Sequence, residues 1–351
     1  MKTRKILVCG LIAVMFALAF MGCGEEEKKK YTVTFDSNNG STVDPQTVNK
    51  GDRAEKPVDP TRTTLMAGLW DKTPPTASYT FIEWQKDGAA YDFNTPVTAN
   101  ITLIAQWTIA TAPSEKPLDY ADYIKNSTTF NPIEEAIRYI SGSSYEGDST
   151  AFILVLEEDV DNVDFFGVGI SYHNENDRTL TITSAGTSER VIRNPVFYVT
   201  KGTLVIDGNI TLRGKNNKDN DKSVVSVLGG GNLELKGNAK ITGNTSSSSA
   251  VVLMGGSNAA GEVSLAKMTM SDNAKISGNT GGGVNIGGEF TMNGGEISGN
   301  VGGGVKVGYG GKFIVASEAV KANIKGNKSG SQVELMDGGT FTVGGVAADG
   351  F

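Results

Sequence analysis

Cysteine is almost absent from this chain, which has two cysteines in 351 residues, Cys9 and Cys23. Both lie near the N-terminus, so the rest of the chain has no cysteine pair, and a fold held together by disulfides is excluded. Histidine occurs once, as His173 in a polar loop. A lone loop histidine is interpreted as structural rather than catalytic.

Proline is sparse, and positive charge is not in excess. Ten prolines stand beside 45 glycines without a Gly-X-Y period, which excludes collagen and argues against proline-rich disorder. The formal net charge of −7 argues against a nucleic-acid partner and against a polybasic contact with a membrane. Glycine is the residue in excess, and it recurs at regular positions within a repeated sequence pattern.

The first thirty residues have the pattern of a processing signal. A basic start at residues 2–5 is followed by an apolar stretch from Ile6 to Phe20, and Cys23 follows closely. This pattern resembles a bacterial lipoprotein signal, in which the cysteine is lipidated and becomes the mature N-terminus. Phe20 and Met21 depart from the usual residues of that motif.

The resemblance implies an exported lipoprotein of the outer membrane or cell surface, held to the membrane by its N-terminal lipid. Residues 1–22 would be the signal peptide and residues 23–30 a charged spacer. Removing residues 1–22 takes away three positive charges and brings the net charge to −10, so the lipid is expected to be the only membrane attachment. A transmembrane anchor is the alternative, because the apolar run approaches the lower limit of about 17 residues for a membrane span.

Residues 31–107 have short alternating apolar runs that predict strands. The most distinctive motifs are VTFDSNNG at 33–40, YTFIEW at 79–84, YDF at 91–93 and TLIAQW at 102–107. These motifs resemble the internalin B-repeat, also called the Listeria–Bacteroides repeat, a β-grasp-like module of bacterial surface proteins. Four aromatic residues are interpreted as its core rather than as a sugar-stacking strip: Phe35, Phe81, Trp84 and Trp107.

An insertion of 14 residues, Thr64 to Ala77, interrupts this module where the family passes directly from arginine to Gly-Tyr. Two interpretations are open: the insertion is an exposed contact site for a partner, or it folds back over its own module. The apolar residues that would form the contact are Leu65, Met66, Leu69 and Trp70.

Residues 108–130 are expected to be a linker, and residues 131–351 a second domain that begins with one amphipathic helix. Asn131 suits the N-cap and Pro132 the first helical position.

From Phe152 onward, three strand patterns recur with a period of roughly 20 to 35 residues. The first recurs at Val225-Val227, Val252-Met254, Val284-Ile286, Val305-Val307 and Val333-Leu335. The second recurs at Leu233-Leu235, Met268-Met270, Phe290-Met292, Phe313-Val315 and Phe341-Val343. The third is I-x-G-N at 241–244, 276–279, 297–300 and 324–327.

Three short strands and tight turns at this period match one coil of a solenoid, in which equivalent residues stack on one another. The asparagines that end the third pattern are expected to form a ladder of side-chain amides: Asn244, Asn279, Asn300 and Asn327. The pattern resembles the right-handed parallel β-helix of the pectin-lyase-like superfamily, with residues 132–140 as its cap. The predicted fold class is mainly β, a β-grasp-like module followed by a capped right-handed parallel β-helix.

The acidic residues of the repeats are scattered, so no catalytic residue, metal site or cofactor is predicted. A non-catalytic adhesin that binds a glycan or a host or cell-surface protein is the preferred function. One alternative is a passive surface spacer. The other is a divergent polysaccharide lyase or hydrolase, which would gather these residues on one face: Asp207, Asp219, Asp221, Glu234 and Arg213.

The last coil, Val333 to Val343, is followed by only eight residues. Its strand edges are therefore expected to be poorly covered. Because an open edge can pair with another chain, weak self-association through this end is predicted.

Overall fold

The computed structural model describes residues 29–71, 74–111, 118, 132–141, 149–161, 170–172, 178–217, 221–257, 263–316, 322–328, 331–344 and 346–347. The chain forms two compact units, Met1–Pro60 with Phe81–Trp107, and Thr61–Thr80 with Thr108–Phe351. The middle of the predicted module, residues 61–80, therefore belongs to the second unit. Cys23, Asn131, His173 and Asp219 lie outside the described residues.

Among the described residues, seven strands precede the helix. They are β1 (Lys30–Asp36), β2 (Gln46–Asn49), β3 (Arg62–Leu65), β4 (Gly68–Trp70), β5 (Thr76–Lys86), β6 (Ala89–Ala90) and β7 (Ile101–Thr111). In the first unit, β1 pairs antiparallel with β2 and parallel with β7. Its core contains the predicted aromatics: Trp84 and Phe35 are buried, with ring centroids 5.1 Å apart, and Phe81 and Trp107 pack partly buried against them.

The second unit contains helix α1 (Pro132–Ser141) and three long sheets. Sheet I consists of β4, β8 (Ala151–Leu156), β11 (Thr179–Ser184), β14 (Gly202–Ile206), β17 (Gly231–Leu235), β22 (Lys267–Met270), β25 (Glu289–Met292), β28 (Lys312–Val315), β31 (Thr340–Val343) and β32 (Val346–Ala347). Sheet II consists of β9 (Val160–Asp161), β12 (Arg190–Arg193), β15 (Ile210–Arg213), β18 (Lys240–Thr242), β23 (Lys275–Ser277), β26 (Glu296–Ser298) and β29 (Asn323–Lys325). Sheet III consists of β10 (Ile170–Tyr172), β13 (Phe197–Val199), β16 (Val225–Val227), β19 (Val251–Leu253), β24 (Val284–Ile286), β27 (Val305–Val307) and β30 (Val333–Leu335). A two-stranded hairpin, β20 (Gly256–Ser257) with β21 (Val263–Ser264), lies between β19 and β22.

Each coil contributes one strand to sheets I, II and III in turn, and the strands of successive coils pair parallel. Equivalent residues stack in register, as the sequence predicts. Phe290, Phe313 and Phe341 stack at 5.0 Å between ring centroids, with interplanar angles of 20° and 8°. The third pattern stacks Ile241, Ile276, Ile297 and Ile324 in sheet II. The predicted fold class, mainly β with a β-helix, is confirmed.

One strand is in a different register from the predicted one. Val251 and Leu253, rather than Val252 and Met254, pair with the inward residues of the neighbouring coils. Val252 points outward and Met254 is 41% exposed. The run Ala250 to Met254 is apolar throughout, so alternation could not show which residues face inward, and a shift of one residue reverses every side chain.

The predicted asparagine ladder is present, and it is buried. The backbone N–H groups of Asn244, Asn279 and Asn300 each donate to the side-chain oxygen of the asparagine in the next coil, at 3.0 to 3.1 Å. The ladder ends at Gln332, whose side-chain oxygen accepts from the backbone N–H of Asn327 at 3.3 Å and from its side-chain Nδ2 at 2.8 Å. Since each amide also donates to a backbone carbonyl, as Asn300 Nδ2 does to Ile276 at 3.1 Å, the ladder satisfies turn backbone that would otherwise be buried unpaired.

The corner after this ladder is built from serine and glycine because neighbouring coils approach too closely for larger residues. A Cβ atom on Gly281 would lie 2.2 Å from the carbonyl oxygen of Ser248, and one on Gly302 would lie 2.5 Å from Gly281. Close backbone approach therefore explains the glycines at this corner.

The N-terminal end of the solenoid is closed by α1 and by the insertion. Ile133, Ala136, Ile137 and Ile140 of α1 are buried in the main core, and the Arg178 guanidinium donates to the Ile140 carbonyl at 2.5 Å. Strand β4 of the insertion pairs antiparallel with β8.

The insertion therefore does not present the predicted contact surface. Leu69 is 0% exposed and Trp70 1% exposed, while Leu65 and Met66 pack partly buried against Trp70. The two ends of the insertion pair with each other, Thr64 and Leu65 of β3 with Ala77 and Thr76 of β5, whereas β4 completes the edge of sheet I. The physical reason is that the edge of β8 has backbone N–H and C=O groups that would otherwise be unpaired, and β4 forms hydrogen bonds with them.

At the other end, β32 folds back antiparallel onto β31 over two residue pairs. Strand β30 is the last strand of sheet III, and within the described residues its outer edge has no partner. Leu335 and Val343 of this coil are exposed. Self-association through this edge stays a prediction.

Ion pairs line the outward face of sheet II. Glu296 accepts from the Ser298 hydroxyl at 2.7 Å and lies 3.0 Å from Lys325 Nζ. The hydroxyl first, and then the Lys325 ammonium, hold the pKa of Glu296 below its ordinary value. The Thr211 hydroxyl and Lys240 similarly lower the pKa of Glu189. These carboxylates are stabilised as anions in the folded chain.

We expect Asn300→Ala to lower the free energy of unfolding by about 1–3 kcal/mol, because it removes the side-chain oxygen that accepts from the buried N–H and the buried amide of Asn279. The matched control is Asn238→Ala, since Asn238 Nδ2 donates to Asn209 Oδ1 at 2.8 Å in an exposed asparagine row. The control should cost less than about 1 kcal/mol. Urea unfolding of both variants measures the difference, and equal losses would contradict a burial effect.

We expect Glu296→Gln to reduce stability at neutral pH by less than about 1 kcal/mol, because the ion pairs are partly exposed. A lowered folded pKa contributes stability above the unfolded pKa, and this contribution is lost as the pH falls through the folded pKa. The difference between parent and variant should therefore disappear in acid.

Ser298→Ala provides the second variant for this test, because it keeps the Glu296 charge and removes the donor that lowers its pKa most. Its acid transition should shift to higher pH. Thermal unfolding across the pH range measures both effects. Parallel stability curves for parent and Glu296→Gln, down to the lowest pH, would refute the assignment.

Candidate functional site

A groove of about 630 Å³ opens on the outward face of sheet I, beside the hairpin β20–β21. It crosses four successive strands, β14, β17, β22 and β25. Its polar side chains are Thr203, Asn232, Ser264, Lys267 and Glu289. The groove is therefore a polar surface to which successive coils of the solenoid each contribute.

In-register pairing places these side chains in one row. Thr203 pairs with Asn232, Asn232 with Lys267, and Lys267 with Glu289. Successive positions in such a row are separated by the strand spacing of about 4.8 Å. Asn232 Nδ2 lies 3.4 Å from Thr203 Oγ1, which orients the amide along the row.

Glycine forms the floor at the corner where the chain enters sheet I. A Cβ on Gly231 would lie 2.2 Å from the carbonyl oxygen of Val199, so this position requires glycine. A Cβ on Gly230 would lie 3.3 Å from Ser264 Oγ, which places this hairpin serine directly above the floor. The groove exists because the corner has no side chains while the following coil adds a hairpin.

Two charges in the groove have no ion-pair partner within 4.0 Å in the part of the chain that the structure describes. Lys267 and Glu289 are register partners on adjacent strands, yet no salt bridge joins them. In sheet III, by contrast, the register partners Lys306 and Glu334 lie 3.5 Å apart. Lys267 and Glu289 are therefore available to donate to and accept from a ligand.

A second trough, of about 410 Å³, runs along the serine and glycine corner between sheets II and III. Its rim charges, Lys306 and Glu334, pair with each other. Its glycines are explained by the close approach of neighbouring coils at Gly281 and Gly302. Structural requirements account for this trough without a ligand.

The residues whose grouping would have favoured a lyase occupy separate places. Glu234 lies on the outward face of sheet I, Asp207 at the corner after β14, and Arg213 at the end of β15 in sheet II. Asp221 precedes β16, and Asp219 lies outside the described residues. Among the described residues, no group of three or more histidine, cysteine or acidic side chains is arranged to hold a metal ion.

The groove residues were missed in the sequence because their outward positions vary from coil to coil. The row reads Thr203, Asn232, Lys267, Glu289, and no repeat of residue type marks it. The available signal is the extra length between β19 and β22, which indicates a loop but not what lies beneath it. The predicted lipidation site, Cys23, lies outside the described residues and stays a prediction.

Comparison with known proteins identifies the N-terminal module. The family model of the Listeria-Bacteroides repeat domain matches residues 31–73 and residues 66–106. The two matches overlap within the insertion, and the predicted resemblance is confirmed for this segment, which suggests a surface or adhesion role. Within the described residues, no helix combines the length and apolar character needed to cross a membrane. The chain has no significant match among curated proteins or among solved structures.

Proposed function

We propose that this chain is an exported surface lipoprotein that binds a glycan through the groove on sheet I, without catalysing a reaction. The groove carries the proposal, because it is polar, open and lined by two charges, Lys267 and Glu289, that form no ion pair within the part of the chain that the structure describes. The Listeria-Bacteroides repeat supports the surface location.

The chemistry of the groove suits sugar hydroxyls. Glu289 accepts hydrogen bonds, Lys267 donates them, and Asn232 does both. A protein partner would more typically be held by buried aromatic or arginine anchors, and the described residues that line the groove include no aromatic residue and no arginine. The groove therefore favours a glycan over a protein ligand.

Two further observations support binding over the alternatives. The acidic residues considered for catalysis lie on different faces and corners of the solenoid. A passive spacer requires no groove, whereas the hairpin β20–β21 creates one. Binding is the function that these features favour.

We expect the chain that follows the predicted signal peptide to retain one class of glycan on an array. Lys267→Ala and Glu289→Ala should each weaken this binding by about tenfold, equivalent to about 1.4 kcal/mol for a lost charged hydrogen bond. The matched control is Lys312→Ala, because Lys312 continues the row beyond the groove. The control should bind as the parent does.

Absence of any retained glycan would refute glycan binding. Retention that is unchanged by both groove variants would move the binding site elsewhere. An assay for unsaturated uronide release, run on the same samples, tests the lyase alternative, and product formation above that of a buffer blank would refute the non-catalytic assignment.

The lipid anchor is proposed on the residues that precede the described structure. We expect Cys23→Ser to move the protein from the membrane fraction to the soluble exported fraction and to abolish incorporation of labelled fatty acid. Cys9→Ser is the matched control, because Cys9 lies within the predicted signal peptide. Fatty-acid labelling that survives Cys23→Ser would contradict the anchor.

A further inference from the structure

Strand β8 has the composition of an aggregation-prone edge. Its sequence, AFILVL from Ala151 to Leu156, contains no charge, proline or glycine. One edge of β8 pairs with β11 over six residue pairs. An apolar strand of this kind pairs readily with another chain when its second edge is open.

The insertion covers that second edge. Gly68, Leu69 and Trp70 pair with Val155, Leu154 and Ile153. Leu69 enters the main core, whereas Trp70 lies against Val155 and Ala185 in a separate small cluster. The insertion therefore protects both the backbone and the outward side chains of β8.

Several polar contacts hold the insertion in this position. Trp70 Nε1 donates to the carbonyl of Met66 at 3.0 Å, and the Leu69 carbonyl accepts from the N–H of Leu118 at 2.7 Å. The hydroxyl of Ser149 lies 3.4 Å from the Asp71 carbonyl. Strand β4 therefore forms hydrogen bonds on both of its edges, with β8 and with Leu118.

The cover is only half the length of the strand that it protects. β4 pairs with three of the six residues of β8. A cavity of about 420 Å³ lies beside Gly68, the first residue of β4, and is bordered by residues 154–161. The charges that follow the strand, at Glu157 and Glu158, lie beyond the covered part. Protection of the apolar centre of β8 therefore depends on β4.

We propose that the segment Gly68–Trp70 is a strap that keeps this chain from pairing with a second copy of itself through β8. A two-fold antiparallel pairing centred on Leu154 would place Ile153 opposite Val155 and Phe152 opposite Leu156, with no charges in contact. The same pairing at the C-terminal edge strand would set Glu334 against Glu334, and like charges directly opposite are destabilising. A second copy therefore fits β8 better than it fits β30.

The test uses the full chain after the predicted signal peptide, in sedimentation velocity over a range of concentrations. Trp70→Ala should self-associate at least about tenfold more tightly than the parent. Ile82→Ala is the control, because it removes an exposed apolar side chain elsewhere and should leave association unchanged. A synthetic peptide of residues 66–71 should suppress the association of Trp70→Ala, and the same peptide with alanine at position 70 should not.

A second variant separates edge pairing from failure to fold. Ile153→Lys, introduced into Trp70→Ala, places a charge on the edge and should restore the parent's sedimentation behaviour while circular dichroism retains the β signal. If Trp70→Ala remains as monomeric as the parent, the strap is refuted. If Trp70→Ala associates but Ile153→Lys leaves that association intact, pairing through β8 is refuted.

Discussion

Each coil of the solenoid depends on the coil beside it to satisfy its backbone hydrogen bonds and to cover its apolar face. Parallel pairing in three sheets satisfies the backbone hydrogen bonds along the strands, and the buried asparagine ladder satisfies them at one corner. Stacked phenylalanines and isoleucines cover the apolar face of each coil. The repetition in the sequence is the direct result, because a coil with a different outline would leave a buried polar group or a cavity.

The same dependence makes the two ends of the solenoid special. An end coil has a neighbour on one side only, so its open edge needs another element. At the N-terminal end, α1 covers the interior while β4 pairs with β8. A segment from the region that matches the Listeria-Bacteroides repeat domain thus completes a sheet of the β-helix.

The proposed binding groove, by contrast, lies where the repetition is broken. The extra hairpin before β22 overhangs a corner that glycine keeps free of side chains, and the outward row beneath it changes residue type at every step. Inward positions cannot vary in this way, because each must match its neighbours. Outward positions carry no such constraint, which makes them the part of the solenoid that can acquire a ligand.

The stacking order can be derived from the sequence alone, since the inward valines, phenylalanines and isoleucines and the asparagines of the ladder follow from local alternation and period. It could not determine the register of β19, because the run from Ala250 to Met254 is apolar on both faces. Nor could it assign Leu69 and Trp70 to the edge of β8, or bring Thr203, Asn232, Lys267 and Glu289 into one row. These are contacts between residues far apart in the chain, and they depend on the three-dimensional fold, because no local pattern specifies which open edge or which outward neighbour a residue will meet.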